Sequence, residues 1–244
     1  MQTTLQVGDG VVTLDYQLAK QVIVFSHGFG VRGDARGLFT DVSANTPKGW
    51  GFVRFDYDAF DATNNSMTLV GVDSRLAQLR AVLTWARSQD GVDTVHLVGH
   101  SLGAITVASL APEGVGKILL LAPPLSLGSR FVAPFTKRSG SVHKGSTWTF
   151  PRRDGTTTIV EDTVLAELAN IDAEGELSKL ALFRPYTIIL AGSDEVLLDA
   201  DYTGLITMPT VSMLGVDKAD HDFSGDTRRE AVSVIISQLT ETVS

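Results

Sequence analysis

"VGHSLGA", residues 98–104, decides how the rest of the chain is read. Gly99, Ser101 and Gly103 spell G-x-S-x-G. The apolar run Thr94-Val-His-Leu-Val-Gly99 before it predicts a buried strand, and a helix is predicted from about residue 102. A serine between a strand and a helix can stand on a sharp, strained turn. Small residues two before and two after let the backbone cross itself without clashes. The hydroxyl then faces the mouth of a sheet. The Leu102 N–H points into the same space, as does the positive end of the following helix. The plain alternative is a glycine-rich packing turn, which would need none of the partners sought next.

Outward from this elbow the pattern is regular. Short alternating stretches around Gly8-Asp9-Gly10 predict a hairpin over residues 3–17. Buried strands are expected at 21–26, 50–56, 117–123 and 186–191, with a weaker one from Val211. Between them lie a short helix near 35–44, an amphipathic helix over 73–88 and a last helix over about 226–240. In the 73–88 helix, Leu76, Leu79, Val82, Leu83 and Ala86 share a face. Strands alternating with helices imply an α/β protein with a mostly parallel sheet covered on both faces. Residues 125–181 break the alternation, with one helix expected near 159–170. Such an interruption is too long for an ordinary connection. It predicts an inserted cap over the site, with residues 1–124 and 182–244 as the core.

A serine nucleophile needs a base, and the base needs an orienting acid. On a strand–elbow–helix scaffold these follow the serine in the order acid, then histidine. Of the five histidines only His143 and His221 come after Ser101. His143 falls inside the interruption. His221, in "KADHDFSG", lies between the last strand and the last helix, a loop from which an imidazole reaches the elbow. The acid belongs after the strand YTIILA, where "AGSDEVLL" offers Asp194 and Glu195. Either carboxylate suits the role. Asp194 is favoured because Asp-Glu-Val is a common run after such a strand.

A second loop, "HGFGVRG" at 27–33, follows the first buried strand. Gly28, Gly30 and Gly33 spell G-x-G-x-x-G, and Asp56 ends the next strand, as a dinucleotide site requires. That reading fails on context. A hairpin precedes the loop, and Ser101, an acid and His221 would all be left as coincidences. Acyl transfer instead gives the loop a purpose. The developing oxyanion needs two donors, and the Phe29 and Leu102 N–H groups supply them, with flanking glycines free to turn the chain inward.

These motifs together resemble the α/β-hydrolases over essentially the whole length. His27–Gly30 matches the family's H-G-x-G loop, Gly99–Gly103 its nucleophile elbow, and Asp194 and His221 its acid and base. "SHGFG", "GHSLG" and "ADHDF" are most similar to small serine carboxylesterases that include the feruloyl (cinnamoyl) esterases. The resemblance implies hydrolysis of carboxylic esters through an acyl-enzyme, on short-chain or aromatic acyl groups, without metal or cofactor. Thioesterase or amidase chemistry would use the same residues. A non-catalytic binding module on this scaffold is the alternative of a different class. One departure is RFDYDAFDATNN, residues 54–65, where those esterases usually carry a glycine turn.

Composition bounds the partners. The 244 residues carry a net charge of −8, which disfavours nucleic acid. The absence of cysteine excludes disulfides, thiolate metal sites and a cysteine nucleophile. The N-terminus lacks the pattern of a signal peptide, and no apolar run reaches the ~20 residues of a membrane span. The expectation is a cytoplasmic monomer or homodimer acting on a small-molecule ester. Residues 125–155 carry six basic residues against Asp154 alone, a net +5. They also hold Phe131, Phe135, Trp148 and Phe150. With Arg152, these aromatics are the candidate substrate contacts, for aromatic or anionic acyl groups. A solvated surface over a few core aromatics is the alternative.

Overall fold

Consecutive residues of a strand point to opposite faces, and here both faces are apolar. In a computed structural model of the protein, Val22 and Val24 enter one core cluster while Ile23 and Phe25 enter another. Ile118 and Leu120 likewise oppose Leu119 and Leu121. Strands buried on both sides need helices on both sides. The structure describes residues 1–241 apart from 58, 129–131, 138, 153–154 and 198–199, and only the backbone of 134–135.

The elements run β1 (Gln2–Val7), β2 (Gly10–Gln17), β3 (Gln21–Ser26), α1 (Leu38–Ala44), β4 (Trp50–Phe55), β5 (Ala59–Asp61), β6 (Ser66–Thr68), α2 (Val72–Arg87), β7 (Thr94–His100) and α3 (Leu102–Leu110). There follow β8 (Ile118–Leu121), α4 (Ala133–Thr136), β9 (Val142–Lys144), β10 (Thr147–Pro151), β11 (Thr157–Glu161), α5 (Asp162–Asn170) and α6 (Ala173–Phe183). The chain closes with β12 (Tyr186–Ala191), α7 (Thr203–Ile206), β13 (Val211–Val216), a 3₁₀ turn (Gly225–Thr227) and α8 (Arg228–Thr240).

Among the described residues one sheet has eight strands in the order β1-β2-β4-β3-β7-β8-β12-β13. The β1–β2 and β2–β4 pairs are antiparallel, and the rest are parallel. The chain moves from β3 to β4 on one side, then returns to place β7 on the other. The order therefore reverses between β3 and β7, and an open α/β sheet binds its ligands at such a switch point. Both functional loops read from the sequence leave the sheet there, at the ends of β3 and β7. Helices α2, α3, α5 and α6 bury residues in the first cluster, α1 and α8 in the second.

Three details differ from the sequence reading. On α2 the buried face carries Arg75 and Gln78 beside Leu79, Val82, Leu83 and Ala86, while Leu76 is only half-buried. The helix expected near 159–170 is the strand β11 followed by α5. Where a glycine turn was absent, residues 59–68 form a hairpin whose second strand pairs in parallel with β11. A second, five-stranded sheet results, ordered β5-β6-β11-β10-β9. Its Phe150 and Val160 are fully buried in the first cluster. Helix α6 crosses residue 181, the expected end of the insertion. Its Leu177, Leu180 and Ala181 join the same cluster as the buried residues of α3.

Candidate active site

Ser101 stands between β7 and α3 with φ 53° and ψ −123°, a conformation that L-residues rarely adopt. The crossing is tight. A methyl group at Gly103 would lie 2.0 Å from the Ser26 carbonyl oxygen, and one at Gly99 2.8 Å from the Ala104 Cα. The Ser101 N–H donates to the Leu121 carbonyl at 2.9 Å, so the turn is anchored to the neighbouring strand. Glycine two before and two after the serine is thus demanded by backbone contact on both sides.

His221 reaches this elbow from the loop after β13. Its Nε2 is 3.0 Å from Ser101 Oγ, and its Nδ1 is 2.8 Å from Asp194 Oδ2. The Asp194 side chain is only 11% exposed and that of His221 9%. Asp194 also accepts the Val196 and Leu197 N–H groups on Oδ1, at 2.9 and 2.8 Å. Burial pulls its pKa upward, yet the His221 bond and charge with these two N–H donors hold it below the ordinary carboxylate value. Backbone bonds from Gly192 N to Val216 O and from Ser193 N to Ala219 O lace the acid's loop to the histidine's.

Glu195, the other acid weighed, faces elsewhere. Its Oε2 accepts the main-chain N–H of His221 at 3.0 Å. His143 is remote in role as well: it pairs with Asp162 at 3.0 Å and stacks on Trp148 with centroids 4.4 Å apart.

The loop after β3 closes over the serine. A methyl at Gly28 would sit 3.2 Å from Ser101 Cβ, so the loop passes close to the serine just before Phe29. Leu102 opens α3 on the other side. His27 is fully buried. Its Nε2 accepts the Tyr57 N–H at 2.8 Å, so Nδ1 carries the hydrogen and donates to the Gly28 carbonyl at 2.8 Å. Burial, then the Arg75 charge, push its pKa down to about 3. The His27 carbonyl in turn accepts from Arg75 Nη2 at 2.6 Å, and that guanidinium lies 3.9 Å from the Tyr57 ring centroid. Arg75 thus braces the loop from below. The sequence reading missed it, although its i, i+4, i+7 spacing with Leu79 and Val82 placed it on the buried face.

The dinucleotide-like spacing has a local explanation. The Gly33 N–H donates to Asp56 Oδ1 at 2.5 Å, so the aspartate closes the glycine loop itself. A methyl at Gly33 would meet the Phe55 carbonyl oxygen at 2.4 Å.

The substrate candidates in the insertion separate. Phe150 has no exposure and packs into the core. Trp148 donates Nε1–H to Asp162 Oδ1 at 2.9 Å. Arg152 comes to the loop: a methyl at Gly30 would meet its Nη1 at 3.0 Å and Thr158 Oγ1 at 3.2 Å. Phe131 lies outside the described residues, as does the side chain of Phe135.

Comparison with solved structures places the fold. The esterase domain of a Rhodothermus marinus protein superposes with a TM-score of 0.67 at 20% identity, over 98% of this chain and 97% of that one. Est1E from Butyrivibrio proteoclasticus with ferulic acid bound gives 0.70 at 15% identity, over 98% and 100%. The α/β hydrolase GrgF from Penicillium sp. sh18 gives 0.73 at 13%, over 98% and 97%. No curated protein matches in sequence. The family model for the alpha/beta hydrolase family matches residues 23–237, from β3 into α8 and across every element that carries the site, and the chain belongs to that family.

Proposed function

We propose that this protein is a serine hydrolase of carboxylic esters working through an acyl-enzyme. One observation carries the reading: the continuous chain Ser101 Oγ–His221 Nε2–Asp194, with links of 3.0 and 2.8 Å, on a strained elbow at the switch point of the sheet. Ser101 attacks the ester carbonyl carbon while His221 Nε2 takes its proton. Asp194 holds Nδ1–H and so fixes which nitrogen is free to act as base. The carbonyl oxygen gains negative charge and receives the Phe29 and Leu102 N–H groups. Each such donor typically lowers the barrier by about 3 kcal/mol. His221 returns the proton to the leaving alcohol, and water then repeats the sequence on the acyl-enzyme.

The two esterase structures with the same fold support esters over other acyl compounds. For the acyl group we favour short or aromatic chains bearing an anion, because Arg152 lies beside the loop that would hold the oxyanion. Arg152 and Thr158 lie against Gly30 of that loop, and its Arg32 stacks over Phe60 of the 59–68 hairpin. The substrate we infer is a small-molecule ester, and no described helix is long and apolar enough to cross a membrane.

Hydrolysis of p-nitrophenyl esters from acetate to laurate, beside methyl ferulate and an acyl-CoA, tests the reading. Turnover is expected on at least one ester and lost in Ser101→Ala, whose fold remains intact. Turnover retained in that variant would overturn the nucleophile assignment. Preference for the acyl-CoA would move the reaction to a thioesterase.

A further inference from the structure

The catalytic reading uses only the His221 imidazole, yet the main chain of His221 is held from both ends by side chains outside its own loop. Its N–H donates to Glu195 Oε2 at 3.0 Å, and its carbonyl lies 2.8 Å from His100 Nε2. A carbonyl can only accept, so His100 carries its hydrogen on Nε2. We propose that Glu195 and His100 are positioning residues that clamp the backbone of His221 and thereby keep its ring in line between Asp194 and Ser101. This rests on the serine-hydrolase reading and extends it to residues that touch no reacting atom.

Three observations support the clamp. First, Glu195 is exposed, and among the described residues the His221 N–H is the group its carboxylate bonds. Packing does not require it there. Second, His100 is 3% exposed and leaves its other ring nitrogen, Nδ1, buried without a partner among the described residues. An apolar side chain would fill the space without stranding a polar atom. What the histidine adds is the Nε2–H bond to His221. Burial, then the charge of His221, push its pKa down to about 4, so it stays neutral while esters are hydrolysed. Third, the two residues sit beside the partners of the imidazole: His100 precedes Ser101 and Glu195 follows Asp194. Each neighbouring pair sends one side chain to the ring and the other to the backbone behind it. The nucleophile, acid and base are thereby tied as one unit, although the loop carrying His221 has no regular structure between β13 and the 3₁₀ turn.

The test compares Glu195→Ala, Glu195→Gln, His100→Ala and His100→Gln with the unaltered protein. Three readouts are needed: kcat and KM on p-nitrophenyl acetate, the rate of serine labelling by a fluorophosphonate, and the thermal unfolding midpoint. Glutamine at 195 keeps an acceptor without charge, and glutamine at 100 keeps an N–H donor near the Nε2 position. The alanine variants are expected to lower kcat and labelling together by about 10- to 100-fold, the range found for residues that orient a reacting ligand, with KM little changed. The glutamine variants should recover most of that loss. Wild-type kcat and labelling in Glu195→Ala and His100→Ala would overturn the clamp alone. So would a loss that glutamine does not restore, since it would assign the effect to charge or to folding. Because Glu195 is exposed, its pair keeps the test decisive even if His100→Ala fails to fold. Absence of labelling in the unaltered protein would overturn the nucleophile itself, and the clamp with it.

Discussion

At the scale of single residues, neighbours with the same chemistry are separated by direction. Asp194 and Glu195 are adjacent carboxylates after the same strand, and in sequence only the Asp-Glu-Val run favours the first of them. Their side chains leave the loop differently, one to the His221 ring and one to its main chain. Gly33 and Asp56 show the same limit. Their spacing matches a dinucleotide motif, but the carboxylate bonds the glycine N–H. Arg152 carries a residue-scale prediction. Its guanidinium approaches Gly30, next to the Phe29 N–H. If it holds an anionic acyl group, Arg152→Ala should lower kcat/KM for a carboxylate-bearing ester by about 10- to 100-fold, the worth of a charge-assisted hydrogen bond. The neutral ester of the same length should lose little. Equal losses on both esters would remove Arg152 from specificity.

Elements departed from their periodicities where a polar residue found buried partners and where tertiary pairing set a strand. The α2 face was expected to begin at Leu76, because an arginine is ordinarily solvated. It begins at Arg75, 2% exposed, because the His27 carbonyl and the Tyr57 ring give the guanidinium partners. The strand β11 was hidden inside a helical pattern because its partners, β6 and β10, are set by tertiary pairing. The elbow at Ser101 depends on the contact of α3 with the end of β3, and it makes a sharp prediction. Gly103→Ala drives a methyl into the Ser26 carbonyl and should cost about 3 kcal/mol or more in urea unfolding, or prevent folding. Gly215→Ala, with no atom within 4 Å and an ordinary φ, should stay within about 0.5 kcal/mol. Similar effects at both sites would show that the elbow is not tightly closed.

The whole molecule has its own signature in acid. Burial pushes His27 down to about 3, and His96 and His100 down to about 4, from an ordinary value of 6.5. Between those limits the unfolded chain binds protons that the folded chain refuses. Stability therefore rises with pH across the window and is lost as pH falls from about 6.5 toward 4. Asp194 acts lower, its stabilisation disappearing only as pH drops through its depressed folded value. Urea midpoints measured from neutral pH to pH ~4 should decline before the carboxylates titrate. His96 lies away from the site, with Nε2 bonded to Gln21 Oε1 at 2.8 Å. His96→Gln should flatten the decline by about one proton and leave kcat unchanged. Midpoints independent of pH over that window would show that the three rings protonate without strain.

The sequence alone determined what local pattern can encode. Two-sided apolar strands predicted the covered parallel sheet, the spacing of small residues marked the elbow and with it Ser101, and chain order nominated His221. Those signals are local because strand periodicity and a strained turn are properties of a few consecutive residues. Only the tertiary structure decided the rest. It turned Asp194 to the His221 ring and Glu195 to its main chain, buried Arg75 under the glycine loop, used Asp56 to close that loop, joined residues 59–68 to the second sheet, and put His100 against the His221 carbonyl. Each of these is a contact between segments distant in the chain. Its direction depends on how two loops or helices meet, which no short window of sequence contains.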